Sequence, residues 1–198
     1  MERAIEKGGL LCEVVVSIRV LLVTMAICCT LYPLAILAVG QASTPHTANG
    51  SLVHNDQGQI VGSELIAQGF SRPEYFWPRP SAVEYNAAAA GGSNLSPTNP
   101  ELRARVKAQL ARFGAGASHL TPADLVTASG SGLDPYITLA AARYQARRVA
   151  STRGIPPATV MELVARDSKR PGGVLTPEPL VNVLLVNMEL DRLGKRNE

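Results

Sequence analysis

Apolar positions divide the chain into two unlike parts. From Val14 to Val39 the only formally charged residue is Arg19. The 20 residues after it, Val20 to Val39 (VLLVTMAICCTLYPLAILAV), carry no charge at all. A helix rises about 1.5 Å per residue, so this run reaches roughly 30 Å, the thickness of a bilayer hydrocarbon core. Arg19 can snorkel toward headgroups. Pro33 would break a soluble helix, but membrane helices tolerate proline. Two other readings stand beside the span. A cleaved signal peptide could use Gly40-Gln41-Ala42 as its small-residue exit, although its apolar core should be about 7–15 residues. A buried core helix is the other. The pattern predicts a transmembrane helix over 14–39, a short N-terminal segment over 1–13 and a small, polar linker over 40–52.

From residue 53 onward the periodicities are those of a mixed domain. Gly58–Gly62 (GQIVG) predicts a short strand leading into SELIAQGF. Residues 71–100 hold Pro73, Pro78, Pro80, Pro97 and Pro100 with Gly91-Gly92, and cannot form a regular element. The same stretch carries Tyr75, Phe76, Trp77 and Tyr85, with Phe70 just before it. A loop so aromatic either plugs its own domain or docks on a partner. Asn99-Pro100-Glu101 starts a helix, with asparagine as cap and proline at the first position. Leu102, Val106, Leu110 and Phe113 mark its apolar face, and Arg103, Arg105, Lys107 and Arg112 occupy the sides expected to face solvent. Gly114 and Gly116 end it. Thr121-Pro122-Ala123-Asp124 predicts a second start, with Asp124 returning a capping-box contact. Leu125 to Pro135 turns. Thr138 caps an alanine-rich helix to about Val149, Gly154–Pro157 breaks the chain, and another helix covers Ala158–Arg166. After the turns of 171–179, Leu180–Val186 is a strand or the start of a buried helix, and 187–194 a short terminal helix. The expected fold class is a single N-terminal transmembrane helix followed by an extracytoplasmic α+β domain.

Charge decides the orientation. Arg3, Lys7 and Arg19 precede or open the span, and no Lys or Arg follows until Arg72. This bias predicts a cytoplasmic N-terminus and an extracytoplasmic domain over 53–198, on a single-pass protein of the cell (inner) membrane. The net charge is only +3 over 198 residues, no footprint for nucleic acid. Cys12, Cys28 and Cys29 all lie in or before the span, so neither a disulfide scaffold nor a cysteine metal site is expected in the outer domain.

Chemistry-bearing motifs are sparse. The chain has no Walker A run, no strand-linked GxGxxG, no HExxH and no GxSxG. Ser129-Gly130-Ser131-Gly132 and Gly91-Gly92-Ser93-Asn94 could cradle an anion with successive amides, or simply make sharp turns. His46, His54 and His119 are scattered, and no metal site is expected. Asp134 and Asp191 could belong to a polar site. These residues favour a non-enzymatic, membrane-anchored interaction protein over a membrane-anchored extracytoplasmic enzyme.

Five blocks carry a resemblance: GSELIAQGF (62–70), PRPSAVEYNAAAAGGSNLSPTNPEL (78–102), VTASGSGLDPYIT (126–138), ARRVASTRG (146–154) and VNVLLVNMELDRL (181–193). Together with Tyr32-Pro33 in the span, they make the chain resemble the C subunit of the bacterial high-affinity potassium-transporting P-type ATPase, the Kdp complex. The resemblance implies an accessory subunit without catalysis or cofactor of its own. Its partners would be a channel-like, potassium-selecting subunit and the P-type ATPase subunit that hydrolyses ATP, together with membrane lipid. Potassium would be the transported ion. The family is also described as a catalytic chaperone that raises the ATPase subunit's affinity for ATP through a ternary complex. On that account Gln145, with Ser129, Gly130, Ser131 and Gly132, is the candidate nucleotide contact. Phe70, Tyr75, Phe76, Trp77, Tyr32 and Pro33 are the candidate partner contacts. Placing Gln145 outside the cytoplasm conflicts with direct contact to ATP. The alternative is an extracellular cap that assists potassium entry without touching nucleotide.

Overall fold

The computed structural model describes residues 2–114 and 120–196. Gly116 and His119 lie outside the described residues. The chain divides into two units, Met1–Ser51 and Leu52–Glu198.

The first unit is a long helix with a short tail. α1 (Glu2–Met25) passes through a π-helical turn at Ala26–Leu31 into α2 (Tyr32–Ser43) without a break. The stretch Gly9–Ser43, 35 residues, is long and apolar enough to cross a membrane. It is longer than the 20-residue run, so at 1.5 Å per residue it extends roughly 20 Å beyond a hydrocarbon core. Its described side chains up to Val39 are exposed, with nothing from the unit covering them. Two of its hydroxyls bond one turn back: Thr24 Oγ1 donates to the Val20 carbonyl at 2.7 Å, and Ser43 Oγ to that of Val39 at 2.6 Å. The linker expected over 40–52 is more ordered than its composition suggests. The helix continues to Ser43, α3 (Pro45–Ala48) follows, and an amide pair joins Gln41 to Asn49 at 3.0 Å.

The second unit is α+β. β1 (Leu52–His54) and β2 (Ile60–Ser63) form an antiparallel hairpin with an irregularity between Val53 and His54. α4 (Pro100–Arg112) is capped as its sequence requires, with Asn99 Oδ1 accepting from Glu101 N at 2.8 Å. β3 (Tyr136–Thr138) pairs antiparallel with β4 (Leu180–Asn182), placing Ile137 opposite Val181. α5 (Leu139–Arg153), α6 (Pro157–Asp167) and α7 (Val183–Arg196) pack around this pair. α5 presents Ala141, Ala142, Ala146 and Ala150, whose small side chains admit α6 closely. Val149, Val160 and Val164 fill the contact at 0% exposure. Burial of each such valine is worth about 1.5–3 kcal/mol.

Three expectations are corrected. Thr121-Pro122 opens only a 3-10 turn, Ala123–Leu125, which buries Leu125. Asp124 returns no capping-box contact; its carboxylate accepts from Thr138 N at 2.8 Å and anchors the start of α5. The 180–186 stretch is strand and helix in turn. Asn182 ends β4, and its Oδ1 accepts from Leu185 N at 3.2 Å, capping α7 four residues or more before the expected terminal helix.

Candidate functional site

The proline-rich, aromatic segment 70–80 lies against α4, α5 and α7 and is held there mostly through its backbone. Gln145, on the buried face of α5, is 1% exposed. Its Oε1 accepts from Trp77 N at 2.9 Å, and its Nε2 donates to Trp77 O at 3.1 Å. Asn187, on the buried face of α7 and also 1% exposed, does the same for the preceding residue: Phe76 N donates to Oδ1 at 2.8 Å, and Nδ2 to Phe76 O at 3.0 Å. Two side-chain amides thus act as strand partners for a segment that has no strand of its own.

Arginines complete the attachment. The Arg148 guanidinium donates to the carbonyls of Pro73 and Tyr75 and to Gln145 Oε1. Arg153 Nε donates to Glu74 O at 2.7 Å, and Arg112 Nη2 to Phe70 O at 3.1 Å. The Trp77 ring lies between two guanidinium groups, Arg148 at 3.7 Å and Arg112 at 3.8 Å from its centre. Phe113 packs at 5.3 Å from the same ring, and Trp77 Nε1 donates to Arg72 O at 3.0 Å. Burial, then the neighbouring Arg112 cation, pushes Arg148 down to about 10. It stays protonated at neutral pH.

This geometry answers the alternative left open for the aromatic loop. Phe76 is 0% and Trp77 6% exposed. Both rings pack inside the unit, Phe76 fully and Trp77 nearly so. Phe70 and Tyr75 are half-buried. They lie 5.4 Å apart and line an open cleft of about 710 Å³ with Arg72, Arg153, Asp191 and Met188. There Tyr75 Oη donates to Asp191 Oδ2 at 3.0 Å, while Arg153 pairs with Asp191 Oδ1 at 2.7 Å. Burial and the hydrogen bond to Asp191 raise the Tyr75 phenol above its ordinary range. Tyr32 and Pro33 belong to the other unit and are exposed on its helix.

The candidate nucleotide residues do not form one site. Gln145 has both amide atoms engaged in the core. Ser129 is 3% exposed, and its N–H donates to Pro80 O at 3.1 Å. The Gly/Ser turns press on each other instead: Gly91 N donates to Ser131 O at 2.8 Å. A Cβ on Gly92 would come within 2.8 Å of Gly130 O, and one on Gly132 within 2.6 Å of Val83 Cγ2 and 2.8 Å of Gly91 O. Gly132 also has φ +71. Neither the 710 Å³ cleft nor a second one of about 340 Å³ beside Tyr136 and Arg166 includes any of these residues.

These glycines make a paired test. Gly132→Ala should cost about 1–3 kcal/mol, from a strained backbone and two close contacts. Gly130→Ala, with nothing within 4 Å, should stay within about 0.5 kcal/mol of the parent. Urea unfolding of the full chain, followed by the fluorescence of Trp77, reads both. Equal effects would contradict the interlocked-turn geometry.

Asp134, read only as a polar candidate, pairs with Arg79 at 3.0 Å. Among the described residues, no group of three His, Cys, Asp or Glu side chains converges as a metal site. Four contributors escape the sequence reading: Asn187, Arg148, Arg153, and Arg112 as a ring partner rather than part of a solvent-facing side. The signal for Asn187 is its register. With Val183, Val186 and Leu190 it occupies the apolar face of α7, where an amide requires a buried partner.

Comparison with known proteins bears on the whole arrangement. Residues 14–192 match a family model described as KdpC, K+-transporting ATPase, c chain. A Parvibaculum lavamentivorans protein named potassium-transporting ATPase KdpC subunit is 49% identical over 179 residues, 90% of this chain and 96% of that protein. Proteins of the same name from Sorangium cellulosum and a Synechocystis species are 52% identical over 167 residues and 42% over 184. These alignments cover 81% and 89% of this chain and 87% and 96% of the relatives.

Proposed function

The chain belongs to the KdpC family, the c chains of K+-transporting ATPases, and from that membership we propose a single-pass accessory subunit whose α+β unit works outside the cytoplasm without touching nucleotide. Its partners are then the potassium-selecting subunit and the ATP-hydrolysing subunit of the same complex. The α+β unit serves as a cap that assists potassium entry. The observation that carries this reading is the uncharged run Val20–Val39 within the continuous apolar helix, with Arg3, Lys7 and Arg19 before the run and no basic residue after it until Arg72. The chaperone account, in which the subunit raises ATP affinity by direct contact, is the less favoured reading. Gln145 is committed to Trp77, and the Gly/Ser turns are committed to each other.

Orientation decides between the two, because ATP is cytoplasmic. The test uses a full-length chain with Cys12, Cys28 and Cys29 replaced and Val174→Cys introduced at a 99% exposed position. A membrane-impermeant maleimide added to intact cells should label that cysteine without permeabilisation. Labelling only after permeabilisation would put the domain on the nucleotide side and defeat the proposal.

A further inference from the structure

The π-helical turn in the apolar helix has a consequence that follows from counting donors. Tyr32 N–H donates to Ile27 O, five residues back. Leu31 is the N-cap of α2, so its carbonyl takes the first regular four-residue bond, from Ala35 N–H. Between these acceptors lie the carbonyls of Cys28, Cys29 and Thr30, and between these donors lie only Pro33 and Leu34. Proline has no N–H. Three carbonyls therefore face a single ladder donor, and two of them are left open.

Their depth makes this consequential. Cys29 is roughly 14 Å from Val20 and roughly 15 Å from Val39 at 1.5 Å per residue, the middle of the apolar run. Lipid chains carry no donor, and an unpaired carbonyl in hydrocarbon costs several kcal/mol. The helix cannot repair the gap with its own hydroxyls. Those of Thr24 and Ser43 are committed to Val20 and Val39. A threonine hydroxyl in a helix bonds a carbonyl three or four residues back, so one at position 30 does not serve the carbonyls of 28–30. The described side chains around the turn are all exposed, so the approach is clear.

We propose that the open carbonyls of Cys28–Thr30 accept hydrogen bonds from a donor side chain (a hydroxyl, amide, indole or guanidinium) on a transmembrane helix of a partner subunit. Pro33 thus creates a polar lock in the middle of the span. The inference rests on the accessory-subunit reading and adds to it the place and chemistry of the intramembrane contact. Interhelical hydrogen bonds of this kind hold membrane helices together where apolar packing alone discriminates weakly.

The test uses the intact complex in its own membrane. A photo-crosslinking residue placed at Cys29 or at Tyr32 should give adducts with a partner subunit, mapping beside a donor side chain. Adducts with lipid alone at both positions overturn the proposal. Pro33→Ala restores an N–H and closes one open carbonyl. Recovery of the chain with its partners in detergent should then fall by roughly threefold or more. Unchanged recovery overturns the proposal. Alanine favours the helix, so a loss cannot come from failure to form it. If the unmodified chain co-purifies with no partner, the accessory reading falls together with this one. If it co-purifies but crosslinks only lipid, this one falls alone.

Discussion

Gln145→Met will lower the stability of the α+β unit by about 2–5 kcal/mol while leaving the ATP dependence of assembled complexes unchanged. Methionine has nearly the volume of glutamine, so the core stays filled and the loss is almost purely polar. The Trp77 N–H and C=O, now bonded to Gln145 at 2.9 and 3.1 Å, would both be left unpaired inside the unit. Arg148 Nη2 would lose its 2.8 Å acceptor. Each buried group left unsatisfied costs about 1–3 kcal/mol. Urea unfolding of the full chain in detergent measures the first effect, and the ATP concentration for half-maximal activity of purified complex the second. A stable variant with weakened ATP dependence would return Gln145 to the nucleotide and sink the structural reading. Gln145→Glu separates the two halves of the amide. Its carboxylate still accepts from Trp77 N and Arg148 but faces the Trp77 carbonyl without a proton to donate, so its cost should persist.

Why Gln145 can be found in the sequence but not understood there is a matter of range. Local signals were legible. Asn99-Pro100 caps α4, Thr138 caps α5 with its Oγ1 accepting from Ala141 N at 3.0 Å, and the uncharged run forms the long helix. Each depends on residues a few positions apart. The attachment of segment 70–80 does not. It joins Phe76 to Asn187 across 111 residues and Trp77 to Gln145 across 68. Only the register of the two amides hints at it, since both stand at apolar positions of their helices and so need buried partners. The strand β3 was missed for a related reason. Tyr136–Thr138 is three residues long, and its ladder is completed by Leu180–Asn182, more than forty positions away. The π turn is a third case. Pro33 announces a disturbance in the helix, but whether the ladder kinks or shifts register depends on how the preceding turn repacks.

Trp77→Leu should cost about 3–5 kcal/mol, and part of that loss should be recovered by salt. The first half follows from removing a 6% exposed indole whose neighbours are fixed by the backbone they bind and cannot collapse far into the gap. The second half comes from the two cations. Arg112 and Arg148 approach opposite faces of the ring at 3.8 and 3.7 Å, and the ring's negative faces offset their mutual repulsion. Arg148 cannot swing away without releasing Pro73, Tyr75 and Gln145. With leucine in place, the two guanidinium groups face each other across aliphatic carbon. At low ionic strength they repel. Raising sodium chloride toward 1 M shortens the screening length to about 3 Å and should restore some stability to the variant more than to the parent. Trp77→Phe keeps an aromatic face but loses the Nε1 bond to Arg72 O and part of the ring volume, so it should fall between the two and show the smaller salt response. Far-ultraviolet circular dichroism must follow these unfolding curves, since the chain has one tryptophan and the variants remove it. Equal salt responses in parent and Trp77→Leu would mean the ring separates no charges, and its role would reduce to apolar burial.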